Sequence, residues 1–150
     1  MTQTAKELRL IKSVYELQQE TYLFNFYFKR QTHYSLTRFM VLNAIFKRGD
    51  KGAYVHEVAL QLGVVDASMS KQITFLKKEK LVERINSIDA RNVRVKVNDH
   101  GKDVYNQILN RITTATESLT QERTIPLGFT EKEVQDITDF INQLSAEFKG

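Results

Sequence analysis

The stretch LVERINSIDARNVRVKVNDHG, residues 81–101, determines how the rest of the sequence is interpreted. Valines and polar residues alternate in its second half, in the order Asn92, Val93, Arg94, Val95, Lys96, Val97. This alternation predicts a β-strand with one apolar face and one polar face. LVERIN at 81–86 predicts the preceding strand. The two strands would form a hairpin whose loop carries Asp89 and Arg91.

Two helices are predicted immediately before this hairpin. VHEVALQLG (55–63) predicts a short helix that ends at Gly63, and DASMSKQITFLKKEK (66–80) predicts a second one. The second helix has an apolar side and a polar side, formed by Met69, Ile73 and Leu76 and by Lys71, Thr74 and Lys78. Two helices of this kind around a tight turn form a helix-turn-helix, and a basic hairpin after them is the wing of a winged helix. AYVH (53–56) predicts a short β-like link ahead of them.

Long helices are predicted on both sides of this central region. Residues 4–31 have helical periodicity, and Thr4 and Glu7 have the spacing of a capping box. The apolar residues of this helix cover two faces, so the helix needs two partners. We expect one of these partners to be a second copy of the chain.

Further helix starts can be recognised from capping residues. Ser35 predicts the start of a helix that ends at Gly49, and Asn98 predicts the start of a long helix after the wing. Thr130 and Glu133 form another capping box, which predicts a final amphipathic helix.

The predicted fold is mainly α with a small β-hairpin wing. We divide it into a winged helix-turn-helix region at 35–98 and a helical dimerisation region at 1–34 and 99–150.

Composition and charge narrow the function classes. The 150 residues are 41% hydrophobic and include no cysteine, so disulfides and cysteine metal sites are excluded. No apolar run approaches the roughly 20 residues of a membrane helix, and the N-terminus lacks a signal-peptide core, so we expect a cytoplasmic protein. Residues 29–102 hold 15 Lys and Arg against 7 Asp and Glu, whereas the flanks hold 7 against 11. A basic centre between acidic flanks is typical of a module that binds a polyanion, although a chance cluster on a solvated surface gives the same count.

The loop of the hairpin suits a nucleic-acid contact. An arginine at the tip can enter a narrow minor groove, where negative potential is concentrated, and Asp89 can orient the guanidinium of Arg91. The alternative for Asp89 is a turn-forming residue, and the alternative for Arg91 is a solvated cation.

The sequence resembles the MarR family of bacterial winged-helix regulators. LGVVDASMSKQITFLKKEKLVER (62–84) is similar to the recognition-helix segment of the family, and DARNVRVKVNDHG (89–101) to its wing, with Asp89, Arg91 and Gly101 matching. SLTRFMVLNAI (35–45) resembles the second helix of the family. The resemblance implies a homodimer that binds double-stranded DNA through these segments.

Three positions depart from the family pattern. Val65 stands where the family has a capping serine, and we expect Asp66 to replace this cap. Lys80 stands where the family often has glycine, so either this lysine is left-handed or the turn differs. Asn92 makes the wing less basic than is usual in the family.

These segments give a set of candidate DNA-binding residues. The helix face and the wing contribute Ser68, Ser70, Lys71, Thr74, Arg84, Asp89, Arg91 and Arg94. Arg84 and Arg94 are expected to contact phosphates or nothing, and an ordinary exposed helix face is the alternative for Lys71 and Thr74.

A weaker prediction concerns an effector pocket. The resemblance implies a pocket between the dimerisation and DNA-binding parts, where His33, Tyr34 and Tyr15 are the candidates. A histidine satisfied by backbone is the alternative for His33, and the aromatic run at 22–30 is more simply core and dimer interface. No metal-ligand spacing, phosphate loop or nucleophile–base pair is present in the sequence, so we predict no cofactor, no metal and no enzyme activity.

The sequence therefore predicts a homodimeric transcriptional regulator, with repression as its expected action at a near-palindromic operator. In one version a small aromatic or anionic effector releases it from DNA. In another, as in SarA-like proteins, there is no effector. A third alternative is a winged helix that binds proteins and not DNA.

Overall fold

The computed structural model describes residues 2–85, 93–122 and 131–149. The helices in these ranges are α1 Gln3–Thr32, α2 Leu36–Lys47, α3 Val55–Leu62, α4 Asp66–Lys78, α5 Asp99–Glu122 and α6 Glu131–Lys149. The strands are β1 Ala53–Tyr54, β2 Val82–Ile85 and β3 Arg94–Val97, and a 3-10 turn spans Gly49–Lys51. The chain forms two compact units, Met1–Ile112 and Thr113–Gly150. The predicted fold class, mainly α with a small β-hairpin, is confirmed.

Helix α1 is fixed at both ends by local hydrogen bonds. At its start the hydroxyl of Thr2 accepts a hydrogen bond from the Ala5 N–H at 3.2 Å, so the cap lies two residues before the predicted Thr4. At its end His33 is left-handed, with φ of 66°, and its N–H donates to the carbonyl of Lys29 at 2.8 Å. The buried Thr32 accepts from the Tyr34 N–H at 3.2 Å, which fixes the turn into α2.

The prediction for α2 is confirmed at its N-terminus. The Ser35 hydroxyl accepts a hydrogen bond from the Arg38 N–H at 3.1 Å, which caps the helix. Helix α2 supplies the centre of the core of the first unit. Fully buried apolar side chains of α2, α4, β3 and α5 pack together there with Leu81 of the turn before β2, namely Val41, Leu42, Ile45, Met69, Leu76, Leu81, Val95 and Ile108.

The sheet has three antiparallel strands in the order β1-β3-β2. The predicted hairpin is β2 and β3, with Val82 opposite Val97 and Ile85 opposite Arg94. The β-like link at 53–56 is a strand only at residues 53 and 54, and Val55 already begins α3. Gly52, with φ of 73°, precedes β1 in a space where a Cβ atom would lie 2.6 Å from the Val95 carbonyl oxygen.

The turn from α4 into β2 contains a left-handed lysine. Lys80 has φ of 58°, and the Leu81 N–H donates across it to the Leu76 carbonyl at 2.9 Å. A left-handed lysine therefore stands where the family pattern has glycine, the first of the two outcomes expected from the sequence.

Asn98 ties this turn to the start of α5. Its side-chain amide donates to the Lys80 carbonyl at 2.8 Å, and its carbonyl oxygen accepts from the Gly101 N–H at 2.8 Å. The predicted cap of α5 is thus confirmed. Gly101 packs so closely that a Cβ atom there would collide with the Leu81 carbonyl oxygen and lie 2.6 Å from a methyl carbon of Val97.

The second unit contains α6. Its described side chains include Phe140, Ile141 and Leu144, which are exposed. Thr130 lies outside the described residues, so the final capping box stays a prediction. Among the helices of the described ranges, none has the length and apolar content needed to cross a membrane.

Candidate nucleic-acid interface

Helix α4 has one side in the core and one side in solvent. Met69, Ile73 and Leu76 are at most 6% exposed, as the helical spacing predicts. The exposed part of the helix surface is polar and carries Ser70, Lys71, Thr74, Lys77 and Lys78, which we call the outer face of α4. Within the described ranges, no carboxylate lies within 4.0 Å of these lysine ammonium groups. The outer face is therefore a cationic helix surface whose charge is unpaired within the described part of the chain.

The start of α4 differs from the prediction. Val65 occupies the N-cap position, where no side chain makes a capping hydrogen bond, so the expectation that Asp66 takes over the cap is wrong. Asp66 is the first residue of the helix, one position too late to cap it. Its carboxylate lies 4.0 Å from Nδ1 of His56 on α3, and both side chains are largely exposed. The Asp66 charge also interacts favourably with the helix dipole.

One flank of α4 packs towards α2. Ser68, Gln72 and Phe75 recur at helical spacing along this flank, and all three are half-buried. Ser68 is thus less accessible than the other helix residues predicted to contact DNA.

Arg38 of α2 covers this flank. Its Nε donates to Oε1 of Gln72 at 2.9 Å, and its guanidinium carbon lies 3.6 Å from the centre of the Phe75 ring. The Tyr34 ring also packs edge-on against Phe75, with 6.1 Å between the ring centres. Sequence reasoning missed Arg38, because only the folded chain brings residues 38 and 72 together.

A cleft of about 350 Å³ runs along the other flank of α4. It is lined by Tyr54, Val55, His56, Asp66, Met69, Ser70, Ile73, Thr74, Lys77 and Val93. Ser70 and Thr74 therefore face the cleft between α4 and the sheet.

The two arginines predicted on the strands lie on opposite faces of the sheet. Arg84 is opposite Val95, and Arg94 is opposite Ile85, so neighbouring register positions direct the two side chains to different sides. Arg84 is exposed, whereas the Arg94 guanidinium lies 5.7 Å from the centre of the Tyr54 ring. Nε of Arg94 is buried and has no hydrogen-bond partner within the described ranges.

Lys96 is paired across the strands. Its Nζ lies 3.3 Å from the carboxylate of Glu83, and both side chains are partly exposed. Lys96 and Glu83 are register partners, so their ion pair occupies part of the polar face of the hairpin.

The structure is similar to solved structures over nearly its whole length. Reduced AbfR bound to DNA matches with a TM-score of 0.76 and 11% identity, over 98% of this chain and 99% of that one. A MarR family transcription regulator matches with a TM-score of 0.70 and 17% identity, over 97% and 94%. PcaV, a transcriptional regulator from Streptomyces coelicolor solved with its natural ligand, matches with a TM-score of 0.66 and 18% identity, over 89% of each chain.

The chain has the fold of MarR-family regulators. No protein-family profile and no curated sequence matches it. At identities of 11% to 18%, the similarity concerns the fold. The side chains of the interface must therefore be interpreted from this chain itself.

The segment between β2 and β3 holds the residues that the sequence predicts for the wing tip. Asp89, Arg91 and Asn92 lie outside the described residues, so the contacts predicted for the wing tip stay predictions. In the sheet, β2 ends at Ile85 and β3 begins at Arg94.

The three candidates for an effector pocket do not come together within one copy of the chain. Tyr15 and His33 are separated by roughly 25 Å along α1, at about 1.5 Å per residue. His33 is exposed and its N–H is satisfied by the backbone, as in the alternative reading. Burial raises the pKa of the Tyr34 phenol above its ordinary value of 10.0, and the Glu79 carboxylate adds to this, while Arg38 and Arg111 oppose it.

In the described ranges, no group of three or more His, Asp or Glu side chains is placed to bind a metal ion.

Proposed function

We propose that the protein is a DNA-binding transcriptional regulator that acts as a homodimer, with repression as its expected effect. The observation that carries this proposal is the outer face of α4, a helix with a buried apolar side and, on its solvent side, lysines that no carboxylate of the described residues pairs with. This helix stands beside a β-hairpin at the centre of a region with a net charge of +8. A basic helix of this kind fits the major groove, and phosphates supply most of the affinity.

The terminal helices supply the dimer in this proposal. Residues Leu8 to Phe26 of α1 include large apolar side chains that are between 39% and 64% exposed in one chain. Exposed apolar area on this scale marks an interaction surface, and a second copy of α1 offers the same chemistry. Residues 1–34 and 99–150 would form the dimerisation region, and 35–98 the DNA-binding region.

Each subunit would contact one half of a near-palindromic operator. Helix α4 would enter a major groove, and the two half-sites would lie about one helical turn apart, roughly 34 Å. Lys71 would contact bases or phosphates, and Ser70 and Thr74 the bases next to the cleft. Arg84 and Arg94 would contact phosphates on either side of the sheet. In this proposal Arg91 enters the adjacent minor groove, oriented by Asp89.

An effector is a separate part of the proposal. PcaV was solved with a natural ligand and MarR of Staphylococcus aureus with salicylate, an aromatic acid, which supports testing small aromatic acids on this chain. A ligand that binds the folded state raises the melting temperature, since stability increases by RT ln(1 + [L]/Kd). A thermal shift with an aromatic acid favours the effector-controlled regulator, whereas no shift across the panel favours the effector-independent alternative.

The experiment for DNA binding is fluorescence anisotropy across a salt series. The duplexes are the DNA upstream of the protein's own gene and a scrambled sequence of the same composition. We expect tight binding that weakens steeply with salt and favours the upstream duplex. Absence of binding at low salt would overturn the proposal and leave the winged helix as a protein-binding module.

A matched pair of variants tests the role of α4. Lys71→Ala removes a charge from the outer face, whereas Lys47→Ala removes the same charge from the last turn of α2. We expect Lys71→Ala to weaken DNA binding several-fold and Lys47→Ala to have little effect. Equal effects of the two variants would mean that α4 does not read DNA.

A further inference from the structure

Arg38 is a half-buried cation on α2, at the edge of α4. Its Nε donates to Gln72, and one face of its guanidinium lies against the Phe75 ring. These two contacts fix both the plane and the direction of the group. No carboxylate lies within 4.0 Å of Arg38 among the residues that the structure describes.

With respect to the described residues, most of the hydrogen-bonding capacity of Arg38 is therefore unused. A guanidinium has five N–H donors, and the bond to Gln72 uses the one on Nε. The two terminal nitrogens can therefore still donate hydrogen bonds. They lie side by side in the guanidinium plane, an arrangement that suits two oxygens of one phosphate.

The location of Arg38 places this cation beside the outer face of α4. Phe75 lies four residues after Lys71, which corresponds to about 40° around the helix axis. A group stacked on Phe75 thus stands next to Lys71, at the border of the exposed side. Arg38 reaches this position from a different helix and is held there before any ligand binds.

We propose that Arg38 is a phosphate-binding residue of the DNA interface, contributed by α2 and preorganised by Phe75 and Gln72. The inference rests on the proposed function and adds to it a contact outside the helix-turn-helix and wing. Preorganisation matters because a free arginine would lose rotamer freedom on binding, and the Arg38 side chain has already lost it. A phosphate contact fixes the position of α4 on the duplex and carries no sequence information.

The test is the salt dependence of DNA binding by three variants and the wild type. Arg38→Met removes the charge and keeps an apolar stem on Phe75, and Arg38→Lys keeps the charge. Arg48→Met is the matched control, because Arg48 is exposed at the opposite end of α2, about 15 Å away at 1.5 Å per residue. Anisotropy is recorded with the upstream and the scrambled duplex.

We expect Arg38→Met to reduce the slope of log K against log salt by about 0.9 per subunit. Affinity should fall by the same factor for both duplexes, while Arg38→Lys keeps most of the slope and Arg48→Met keeps all of it. If Arg38→Met unfolds, as circular dichroism would reveal, Arg38→Gln replaces it in the same comparison.

Two results would overturn the inference. The first is an unchanged slope for Arg38→Met or Arg38→Gln, which would make Arg38 a packing residue. The second is an equal loss of slope in Arg48→Met, which would assign the effect to the overall field of the protein. In both cases the wild type still binds steeply and the proposed function stands, whereas a wild type that binds no DNA overturns both.

Discussion

The left-handed conformation of Lys80 gives a stability prediction that can be worked through in detail. A residue with a Cβ atom in this conformation costs about 1–2 kcal/mol relative to glycine. Lys80→Gly removes that cost. Glycine also gives the unfolded chain more conformational freedom, which lowers the free energy of unfolding by about 0.5–1 kcal/mol. The hydrogen bond from Asn98 ends on the backbone carbonyl of residue 80 and is retained in the variant. We therefore expect Lys80→Gly to raise the free energy of unfolding by about 0.5–1 kcal/mol.

The assay is urea unfolding followed by circular dichroism, with a thermal melt beside it. For a chain of this length the melting temperature should rise by about 1–4 °C. Lys77→Gly is the matched control, because Lys77 loses the same charge and stem but lies in the last turn of α4. That control should lower the free energy of unfolding by about 1 kcal/mol, the cost of glycine in a helix. If both variants destabilise the protein equally, the left-handed cost assigned to Lys80 is refuted.

Three further predictions follow from other contacts. Gly101→Ala should destabilise the protein by about 1–3 kcal/mol, measured by urea unfolding, because its Cβ would collide with the Leu81 carbonyl. An effect below about 0.5 kcal/mol would mean that the packing at Gly101 is loose. Glu83→Gln should change stability by less than about 1 kcal/mol. The same variant should tighten DNA binding in the anisotropy assay by freeing Lys96, and weaker binding would contradict this. Since the pKa of Tyr34 is raised in the folded state, its stabilisation is present below pH 10.0 and is lost as pH rises further. Tyr34→Phe should thus lose less stability than the wild type between pH 9 and pH 11 in urea titrations, and equal losses would contradict the shift.

Periodicity was the reliable signal in this sequence. The spacing of Met69, Ile73 and Leu76 predicts the buried side of α4, and the valines of β3 predict the strand and its apolar face. Both patterns are local, because the side chains of a single element face the core at a regular sequence spacing. The capping residues Ser35 and Asn98 could be predicted for the same reason.

The errors arise where neighbouring residues compete or where partners are distant. Thr2 and Thr4 are both able to cap α1, and the sequence alone does not decide between two threonines so close together. The sequence indicates a β-like link at 53–56, but the two-residue extent of β1 is set by its pairing with β3, which no local pattern reveals. The position of Arg38 on Phe75 likewise depends on how α2 crosses α4.

The double role of Asn98 has a mechanical consequence for operator choice. Its side chain joins the turn after α4 to the first turn of α5, and its backbone N–H donates to the Leu81 carbonyl at the base of the hairpin, so hydrogen bonds of one residue hold these three parts together. In a dimer built through α5, these hydrogen bonds would form a stiff frame that sets the separation between the two copies of α4. An inserted base pair rotates one half-site by about 35° about the duplex axis. Such a frame would make the proposed regulator selective for spacing as well as for sequence, and under this proposal one extra base pair between the half-sites should abolish the engagement of both subunits.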